Sequence, residues 1–399
     1  MEPPPADRDW PEQMRRLLEW VEASGFVFEP WQIASYVTAL RTKPFVILAG
    51  ISGTGKTRLP QLVARACGQR CEVIPVRPDW TDSSDLLGYT DLAGTFRPGP
   101  LLELARQAQE DPQRSYVVVL DEMNLARVEH YFAEVLSRIE DRRLERGQWV
   151  SKPLLGAAQV LRERDDEETE ARVWAQVGLP PNLALVGPVN MDESTHGFSR
   201  KVLDRAFTLE LAESRLAKWG APASGPGATL NWPASVLVPR KDSLAQASGL
   251  DAHQRQQVER VIETLERLNV ALRQAHLQVG YRVRDEGALF VLHAADVRDA
   301  WVTSEGTPVD PLDLAISMKV LPRIVGGTGA IRRVLQGLLA WASGSRDAED
   351  EEATEALVRR WAEAGRPSSL ANAPFPRCAA RLCLMWERMM DDGFTSYWL

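Results

Sequence analysis

The amino-acid sequence predicts an α/β fold with a doubly wound parallel sheet, followed by an all-α region. The first observation is a set of short apolar runs typical of buried strands, at residues 45–49, 72–76, 116–120 and 183–186. These runs are nearly continuous rather than alternating, which favours parallel strands covered on both faces. The second observation is that helical patterns lie between the runs. The third is that only helical patterns follow Leu211, as far as about Trp341.

Individual elements have their own signals. The first strand is bounded by Pro44 and Gly50, two residues that often end regular structure. Apolar residues at three- and four-residue steps predict a helix over residues 123–140. The same spacing predicts an amphipathic helix from Val258 to Leu272.

Changes in composition divide the chain into five segments. A Gly/Pro/Ala-rich run at 219–229 predicts a linker, and an acidic stretch at 347–352 predicts a second one. A charged run at 162–172 is expected to be a solvated insertion. We therefore expect a short N-terminal helical extension, an α/β domain, a linker, a helical lid, and an acidic linker with a helical tail, at residues 1–40, 41–211, 212–249, 250–345 and 346–399.

Composition excludes several classes of protein. The 399 residues carry 47 Lys and Arg against 55 Asp and Glu, a net charge of −8, which argues against a sequence-independent DNA coat. No apolar run reaches the roughly 18 residues that span a bilayer, and the first residues lack the features of an export signal. We therefore expect a cytoplasmic protein with no membrane partner. The four cysteines lack nearby histidines, so we expect structural thiols rather than a metal site.

Residues 50–57 fit the phosphate-binding loop pattern G-x-x-x-x-G-K-[ST], between the first strand and a helical pattern. The glycines let successive backbone N–H groups point at phosphate oxygens. Lys56 would reach the β- and γ-phosphates, and Thr57 would ligate Mg²⁺. The predicted cofactors are therefore ATP or GTP and Mg²⁺. The alternative, a Gly-rich turn without a ligand, is disfavoured by the flanking strand and helix.

Two carboxylates follow the third predicted strand. Asp121, 64 residues after Thr57, can hold Mg²⁺ through water, and Glu122 can orient and deprotonate the attacking water. The alternative is a carboxylate pair that caps the next helix. The metal site is thus assigned to Thr57 and Asp121, and catalysis to Glu122. The full predicted nucleotide-binding set is Gly50, Ser52, Gly53, Thr54, Gly55, Lys56, Thr57 and Asp121.

Two more candidates follow the fourth predicted strand. Asn190 can hydrogen-bond both the γ-phosphate and the attacking water, although an Asn after a strand is most often a turn residue. Arg205 follows Leu203 and Asp204 at a predicted helix end, where it could stabilise transition-state charge in a neighbouring subunit. The alternative for Arg205 is an ion pair with Asp204 or another carboxylate of the same chain.

These motifs together resemble those of AAA+ P-loop NTPases, in which an α/β domain is followed by an all-α lid. More narrowly, the sequence resembles the McrB-type motor subunits of modification-dependent restriction systems. The most specific segments are Asp121–Ala126 and Asn190–Thr195. The other shared segments are 44–50, 76–80, 85–89, 280–283 and 321–323. The resemblance covers about residues 27–345, and the ending 393–398 is also similar to this group.

The resemblance implies a homo-hexameric ring with an active site at each subunit boundary. It also implies a separate nuclease subunit of the McrC type, with DNA contacted indirectly or through the pore of the ring. Arg205 matches the trans-acting finger, with Arg200 as a weaker candidate. Either Arg282 or Arg284 would be the second sensor: the Gly-Tyr-Arg-Val block favours Arg282, whereas comparison with the neighbouring MoxR group favours Arg284.

Two features depart from the McrB-type pattern. About 40 residues precede the first strand, too few for an independent domain that reads modified DNA. We therefore expect either that another subunit recognises the target or that the target is not modified DNA. Pro188, two residues before Asn190, cannot donate a hydrogen bond to a sheet, so we expect it at a strand end or edge.

Three functions are consistent with these residues. The leading hypothesis is a ring-forming NTPase that powers a DNA restriction or antiviral defence complex. The alternative is a MoxR-like chaperone that remodels protein complexes, which the segment Phe96–Leu101 and the order of the lid elements also suit. The third is a nucleotide-gated scaffold without catalysis. The intact set of Lys56, Asp121 and Glu122 argues against it.

Overall fold

The computed structural model describes residues 10–160, 170–190, 196–212, 225–239, 241, 243–247, 249–345 and 350–398. Several sequence features lie outside them: Met191–Thr195 of the second family-specific segment, most of the charged run at 162–172, and parts of both predicted linkers. The chain divides into two compact units. The α/β unit comprises Met1–Phe28 and Tyr36–Asp242, and the helical unit comprises Glu29–Ser35 and Ser243–Leu399.

The α/β unit begins with α1 (Trp10–Ala23), and its boundary with the helical unit falls inside α2 (Pro30–Thr42). Its other elements are, in chain order, β1 (Phe45–Gly50), α3 (Arg58–Ala66), β2 (Arg70–Pro75), α4 (Ser84–Leu87), β3 (Gly88–Thr90), β4 (Phe96–Pro98), α5 (Pro100–Glu110), β5 (Tyr116–Asp121), α6 (Val128–Tyr131), α7 (Ala133–Asp141), β6 (Arg143–Glu145), β7 (Gln148–Val150), α8 (Ala157–Val160), α9 (Glu170–Trp174), β8 (Leu183–Asn190), α10 (Arg200–Leu203) and β9 (Phe207–Glu210).

Five strands form one parallel sheet in the order β2-β5-β8-β1-β9. The chain moves outward from β1 to β2 and then returns through β5 and β8. Because such crossovers are right-handed, the helix after β1 and the helices before β5 and β8 cover opposite faces. All six residues of β1 are buried, as expected for a strand covered on both sides. The predicted α/β class with a doubly wound parallel sheet is confirmed.

The four predicted strands correspond to β1, β2, β5 and β8, but the sequence did not predict β9 or the two small hairpins, β3–β4 and β6–β7. Each of these missed strands has only three or four residues. A run this short shows no period, so its pairing partner decides its conformation.

The predicted continuous helix over 123–140 was wrong. The structure has a 3-10 turn at Met123–Leu125 and then two separate helices, α6 and α7. Two adjacent aromatic residues lie at the break: Tyr131, the last residue of α6, packs against Trp80, and Phe132, between the helices, packs against Phe45, with ring centroids 5.3 and 5.7 Å apart. Burial of both rings favours this break over an unbroken helix.

Pro188 lies inside β8, the middle strand of the sheet, and not at an edge strand. It is in register with Leu48 of β1. Pairing between β5 and β8, however, ends at Val119 and Val186. We expected Pro188 at a strand end or edge. This expectation holds only toward β5, because the hydrogen-bonded pairing of β5 with β8 ends before Pro188.

Part of the predicted linker packs on the α/β unit. Backbone N–H groups of Leu230 and Trp232 donate to the carbonyls of Ala66 and Cys67 at the end of α3, at 2.7 and 2.9 Å. The Trp232 indole is buried edge-on against Trp10 of α1, with ring centroids 5.5 Å apart. Burial of a large aromatic side chain is more favourable than its exposure to solvent in a free linker, so this part of the linker packs on the unit.

The helical unit contains α11 (Ala252–Leu272), α12 (Tyr281–Ala295), α13 (Pro311–Lys319), α14 (Gly329–Ser343), α15 (Glu351–Glu363) and α16 (Pro376–Asp391). Helix α11 contains the amphipathic pattern predicted between Val258 and Leu272. Among the described residues, no helix is long and apolar enough to cross a membrane.

The expected boundary at residue 346 does not separate the tail from the lid. The buried carboxylate of Asp313 in α13 accepts hydrogen bonds from the backbone N–H groups of Arg377 and Cys378, at 2.8 and 3.0 Å. The rings of Trp341 and Phe375 stack at 4.1 Å. The first turn of α16 is thereby tied to α13 and α14, and the tail belongs to the helical unit.

Asn182, just before β8, offers a test of the packing between α5 and the sheet. Its buried amide donates to the carbonyl oxygens of Ala108, Asp111 and Arg114 at 2.9, 3.0 and 2.8 Å. We expect Asn182→Ala to lower the free energy of unfolding of the α/β unit by about 2 kcal/mol, because these carbonyls lose their donor. Urea unfolding measures the change.

The matched control is Gln148→Ala, which removes an exposed amide on β7. This change should stay within about 0.5 kcal/mol of the wild type. Equal losses in both variants would contradict a specific role for Asn182.

Candidate functional site

The loop between β1 and α3 surrounds the side chain of Lys56. Gly55 has a φ of +88°, and a Cβ atom there would lie 2.9 Å from the Phe28 ring, so this position requires glycine. Lys56 Nζ donates to the carbonyls of Gly50 and Ile51, at 2.9 and 2.6 Å. Burial lowers the pKa of Lys56, while the negative charges of Asp121 and Glu122 oppose this effect.

Thr57 and Asp121, the two predicted metal ligands, lie side by side. Thr57 Oγ1 donates to Asp121 Oδ1 at 2.7 Å. Asp121 is the last residue of β5, and Thr57 directly precedes α3. A hydroxyl and a carboxylate beside a phosphate-binding loop are the hard oxygen ligands that Mg²⁺ prefers. These residues therefore fit a magnesium ion.

Glu122 and Asn190 also come together. Glu122 has a left-handed backbone, with φ 53° and ψ 48°, directly after the end of β5. Asn190 ends β8, in register with Gly50 of β1. Its Nδ2 atom lies 3.5 Å from Glu122 Oε1, at the outer limit of a hydrogen bond. A water between a phosphate and these two side chains would meet both an acceptor and a donor.

Asn124 contacts the backbone of Asn190 and so helps to fix its position. The sequence did not predict a role for Asn124. Its buried Nδ2 atom donates to the backbone carbonyl of Asn190 at 2.8 Å. The backbone carbonyl of Asn124 accepts a hydrogen bond from the backbone N–H of His196 at 2.9 Å. The preceding residue, Met123, packs closely on Gly187. A Cβ atom added to Gly187 would lie 2.2 Å from the sulfur of Met123. Asn124 belongs to the segment 121–126 that carries the resemblance, which was the available signal.

Most of the predicted residues of the α/β unit line a cavity of 510 Å³, which is in the range of small-molecule sites. The loop contributes residues 52–57, and the strand ends contribute Asp121, Glu122 and Asn190. Gly50 lies beneath the loop as the last residue of β1. The cavity is also lined by Gly25–Phe28, between α1 and α2. The sequence did not predict this contribution, because these four residues match no phosphate-binding motif.

Arg205 does not line this cavity. It lies in the turn between α10 and β9, where its Nη1 atom donates to the carbonyl of Lys201 at 2.5 Å and its Nη2 atom pairs with the carboxylate of Glu140. The alternative of an ion pair within the chain is thus present, with Glu140 of α7 rather than Asp204 as the partner. Whether Arg205 also acts on a neighbouring subunit stays a prediction.

Arg282 and Arg284 lie in the helical unit, in the first turn of α12. Arg284 Nε donates to Asp285 at 2.7 Å, and its guanidinium lies 4.9 Å from the centre of the Tyr281 ring. Arg282 is half-buried. The choice between them as second sensor stays a prediction.

Comparison with known proteins agrees with this geometry. The AAA domain of the dynein-related subfamily matches residues 45–173, and a domain of unknown function (DUF8727) matches residues 237–394. The chain is 25% identical over 183 residues to the Type IV methyl-directed restriction enzyme EcoKMcrB subunit of Escherichia coli K12. That match covers 44% of this chain and 37% of the relative, so it spans little more than a third of the relative's length.

A solved structure of a candidate ATPase from Cytophaga hutchinsonii is also similar. The two share 13% identity with a TM-score of 0.47, and the match covers 79% of this chain and 88% of the other. The same conclusion follows from the phosphate loop with its paired carboxylates and from the two sequence matches: both indicate a P-loop NTPase. The chain therefore carries a P-loop NTPase domain of the AAA type, and it is similar to the McrB restriction subunit.

Proposed function

We propose that this chain is the motor of a ring, in which magnesium-dependent hydrolysis of ATP or GTP drives a DNA restriction or defence complex with a separate nuclease subunit. The observation that carries the hydrolytic part is the cluster of Lys56, Thr57, Asp121, Glu122 and Asn190 around one cavity. The similarity to a restriction enzyme subunit supports the biological part.

In the proposed mechanism, the phosphates bind along the loop. The Lys56 ammonium would give up its hydrogen bonds to the carbonyls of Gly50 and Ile51 and donate instead to oxygens of the β- and γ-phosphates. Thr57 and Asp121 would hold Mg²⁺, which would supply positive charge beside the phosphates. Among the described residues, no group of three or more His, Cys, Asp and Glu could hold a metal by itself.

Hydrolysis would take place between Glu122 and Asn190. The Glu122 carboxylate is exposed to the cavity, where it can accept a proton from water. The Asn190 amide, 3.5 Å away, can donate to the γ-phosphate or orient the water. Placing both groups at adjacent strand ends fixes their separation before substrate binds, which lowers the entropic cost of the reaction.

We propose that Arg205 completes the site of a neighbouring subunit. Arg205 is not among the residues that line the cavity of its own α/β unit, which is consistent with an action on a neighbouring site. An arginine supplied in trans stabilises the charge that develops on the transferred phosphoryl group. This arrangement makes hydrolysis depend on ring assembly, with six subunits as the proposed number.

The second candidate function is a MoxR-like chaperone that remodels protein complexes. One observation favours it: the β3–β4 hairpin carries two exposed apolar side chains, Tyr89 and Leu92, which are 57% and 109% exposed. Exposed apolar residues on a hairpin suit contact with a polypeptide better than contact with a DNA backbone.

The first prediction of the proposed function concerns Glu122. We expect Glu122→Gln to bind nucleotide like the wild type but to lower turnover by at least about 100-fold, because the amide cannot accept a proton from water. Nucleotide binding and phosphate release should be measured on the same preparation. The control is Glu103→Gln on the exposed face of α5, which should hydrolyse normally. Unchanged turnover in Glu122→Gln would remove Glu122 as the base.

The second prediction concerns Arg205. Neither Arg205→Ala nor Glu122→Gln subunits should hydrolyse nucleotide alone, whereas a mixture should recover activity at mixed boundaries. There, an intact Arg205 faces an intact Glu122. Phosphate release is measured across mixing ratios, with Arg200→Ala in place of Arg205→Ala as the control. If phosphate release does not recover at any mixing ratio, the action of Arg205 in trans is contradicted.

The third prediction separates restriction from remodelling. Hydrolysis of ATP and GTP should be measured side by side, with and without the product of the adjacent gene. Stimulation by a nuclease subunit supports the restriction motor. A chain that is indifferent to the nuclease but releases a protein from a complex would support the chaperone instead.

A further inference from the structure

The surroundings of Arg205 differ from those of an ordinary surface arginine. Its side chain is only 15% exposed, whereas that of its partner Glu140 is 42% exposed. One guanidinium nitrogen pairs with Glu140, a second donates to the carbonyl of Lys201, and the buried Nε has no hydrogen-bond partner. The guanidinium is therefore held at two points, by one charged group and one backbone carbonyl.

These two anchors come from different parts of the α/β unit. Glu140 lies in the last turn of α7, and Lys201 lies in α10, 61 residues later in the sequence. A guanidinium held by two such anchors keeps one orientation of its plane, because a carboxylate and a carbonyl accept along defined directions. An unanchored arginine side chain would instead distribute over many rotamers.

We infer that Glu140 is a positioning residue for Arg205, and that it orients the guanidinium toward the nucleotide of the neighbouring subunit. This inference rests on the proposed trans action of Arg205. Glu140 itself touches no nucleotide in this arrangement and acts only through Arg205. Preorganisation of this kind matters because small errors in the position of a catalytic group cost large factors in rate.

The opposite role would be a latch that withholds Arg205 from the neighbour. A latch and a positioning residue predict opposite effects of the same substitution. Removal of a latch raises turnover, whereas removal of a positioning group lowers it. The isosteric change Glu140→Gln keeps the shape of the side chain and removes its charge, so it distinguishes the two roles.

The experiment is a double-mutant cycle in full-length protein. We expect Glu140→Gln to lower kcat about tenfold, with the nucleotide KM and the unfolding midpoint unchanged. Arg205→Ala should lower kcat by about 1,000-fold. The double variant should match Arg205→Ala alone, because Glu140 has nothing left to orient. A merely structural role for Glu140 would instead give additive losses and a lowered unfolding midpoint.

A subunit mixture provides an independent readout. Glu140→Gln subunits mixed with Glu122→Gln subunits should recover turnover, because the intact Arg205–Glu140 pair of one subunit serves the intact Glu122 of the other. The matched control is Asp141→Asn. Asp141 is the next carboxylate along α7 and pairs with Arg138 and Lys152, so its loss should leave kcat unchanged.

The outcomes separate this inference from the proposed function. If Arg205→Ala lowers turnover but Glu140→Gln does not, or raises it, the positioning role is overturned and the finger remains. If Arg205→Ala itself has no effect, the proposed finger fails and the positioning role fails with it. A tenfold loss that is equally large in the Arg205→Ala background would also overturn the inference.

Discussion

The parallel register of β5, β8 and β1 is the constraint on which the site depends. Gly50 and Asn190 are paired across β1 and β8, and β5 runs beside β8 as far as Val119 and Val186. The carboxyl ends of these strands therefore open at one edge of the sheet, where a phosphate loop, two carboxylates and an amide meet. A slip of one residue in either pairing would turn alternate side chains to the opposite face. Hydrophobic burial of the strands thus fixes the distances on which the chemistry relies.

The turn after β5 converts this register into a catalytic geometry. Glu122 leaves the strand with a left-handed backbone, a conformation that costs of order 1 kcal/mol for a residue with a side chain. Two contacts hold it in place: Met123 fits against Gly187, and Asn124 donates to the carbonyl of Asn190. Displacement of the turn would break both contacts, so the carboxylate and the amide are held relative to each other by the same residues.

Features that are local in sequence could be predicted, and features that depend on distant partners could not. The phosphate loop and the carboxylates after a buried strand were predicted because their geometry follows from a few consecutive residues. The break between α6 and α7 depends on rings that meet Trp80 and Phe45, and the position of Trp232 depends on Trp10. No window of sequence contains both members of such a pair.

The same reasoning explains why the partner of Arg205 was missed and Glu140 could be found only in three dimensions. The two residues are 65 positions apart, and the sequence alone indicated only Asp204 or an unspecified carboxylate of the same chain as the partner. In a short turn, however, neighbouring side chains point in different directions, and a long guanidinium reaches the end of another helix more easily than the next residue. If Arg205 serves a neighbouring subunit, its carboxylate partner must lie where both the turn and the subunit boundary can be reached. Glu140, in the last turn of α7, keeps 42% of its side chain in solvent while it holds Arg205, so the pair stays accessible from outside the α/β unit.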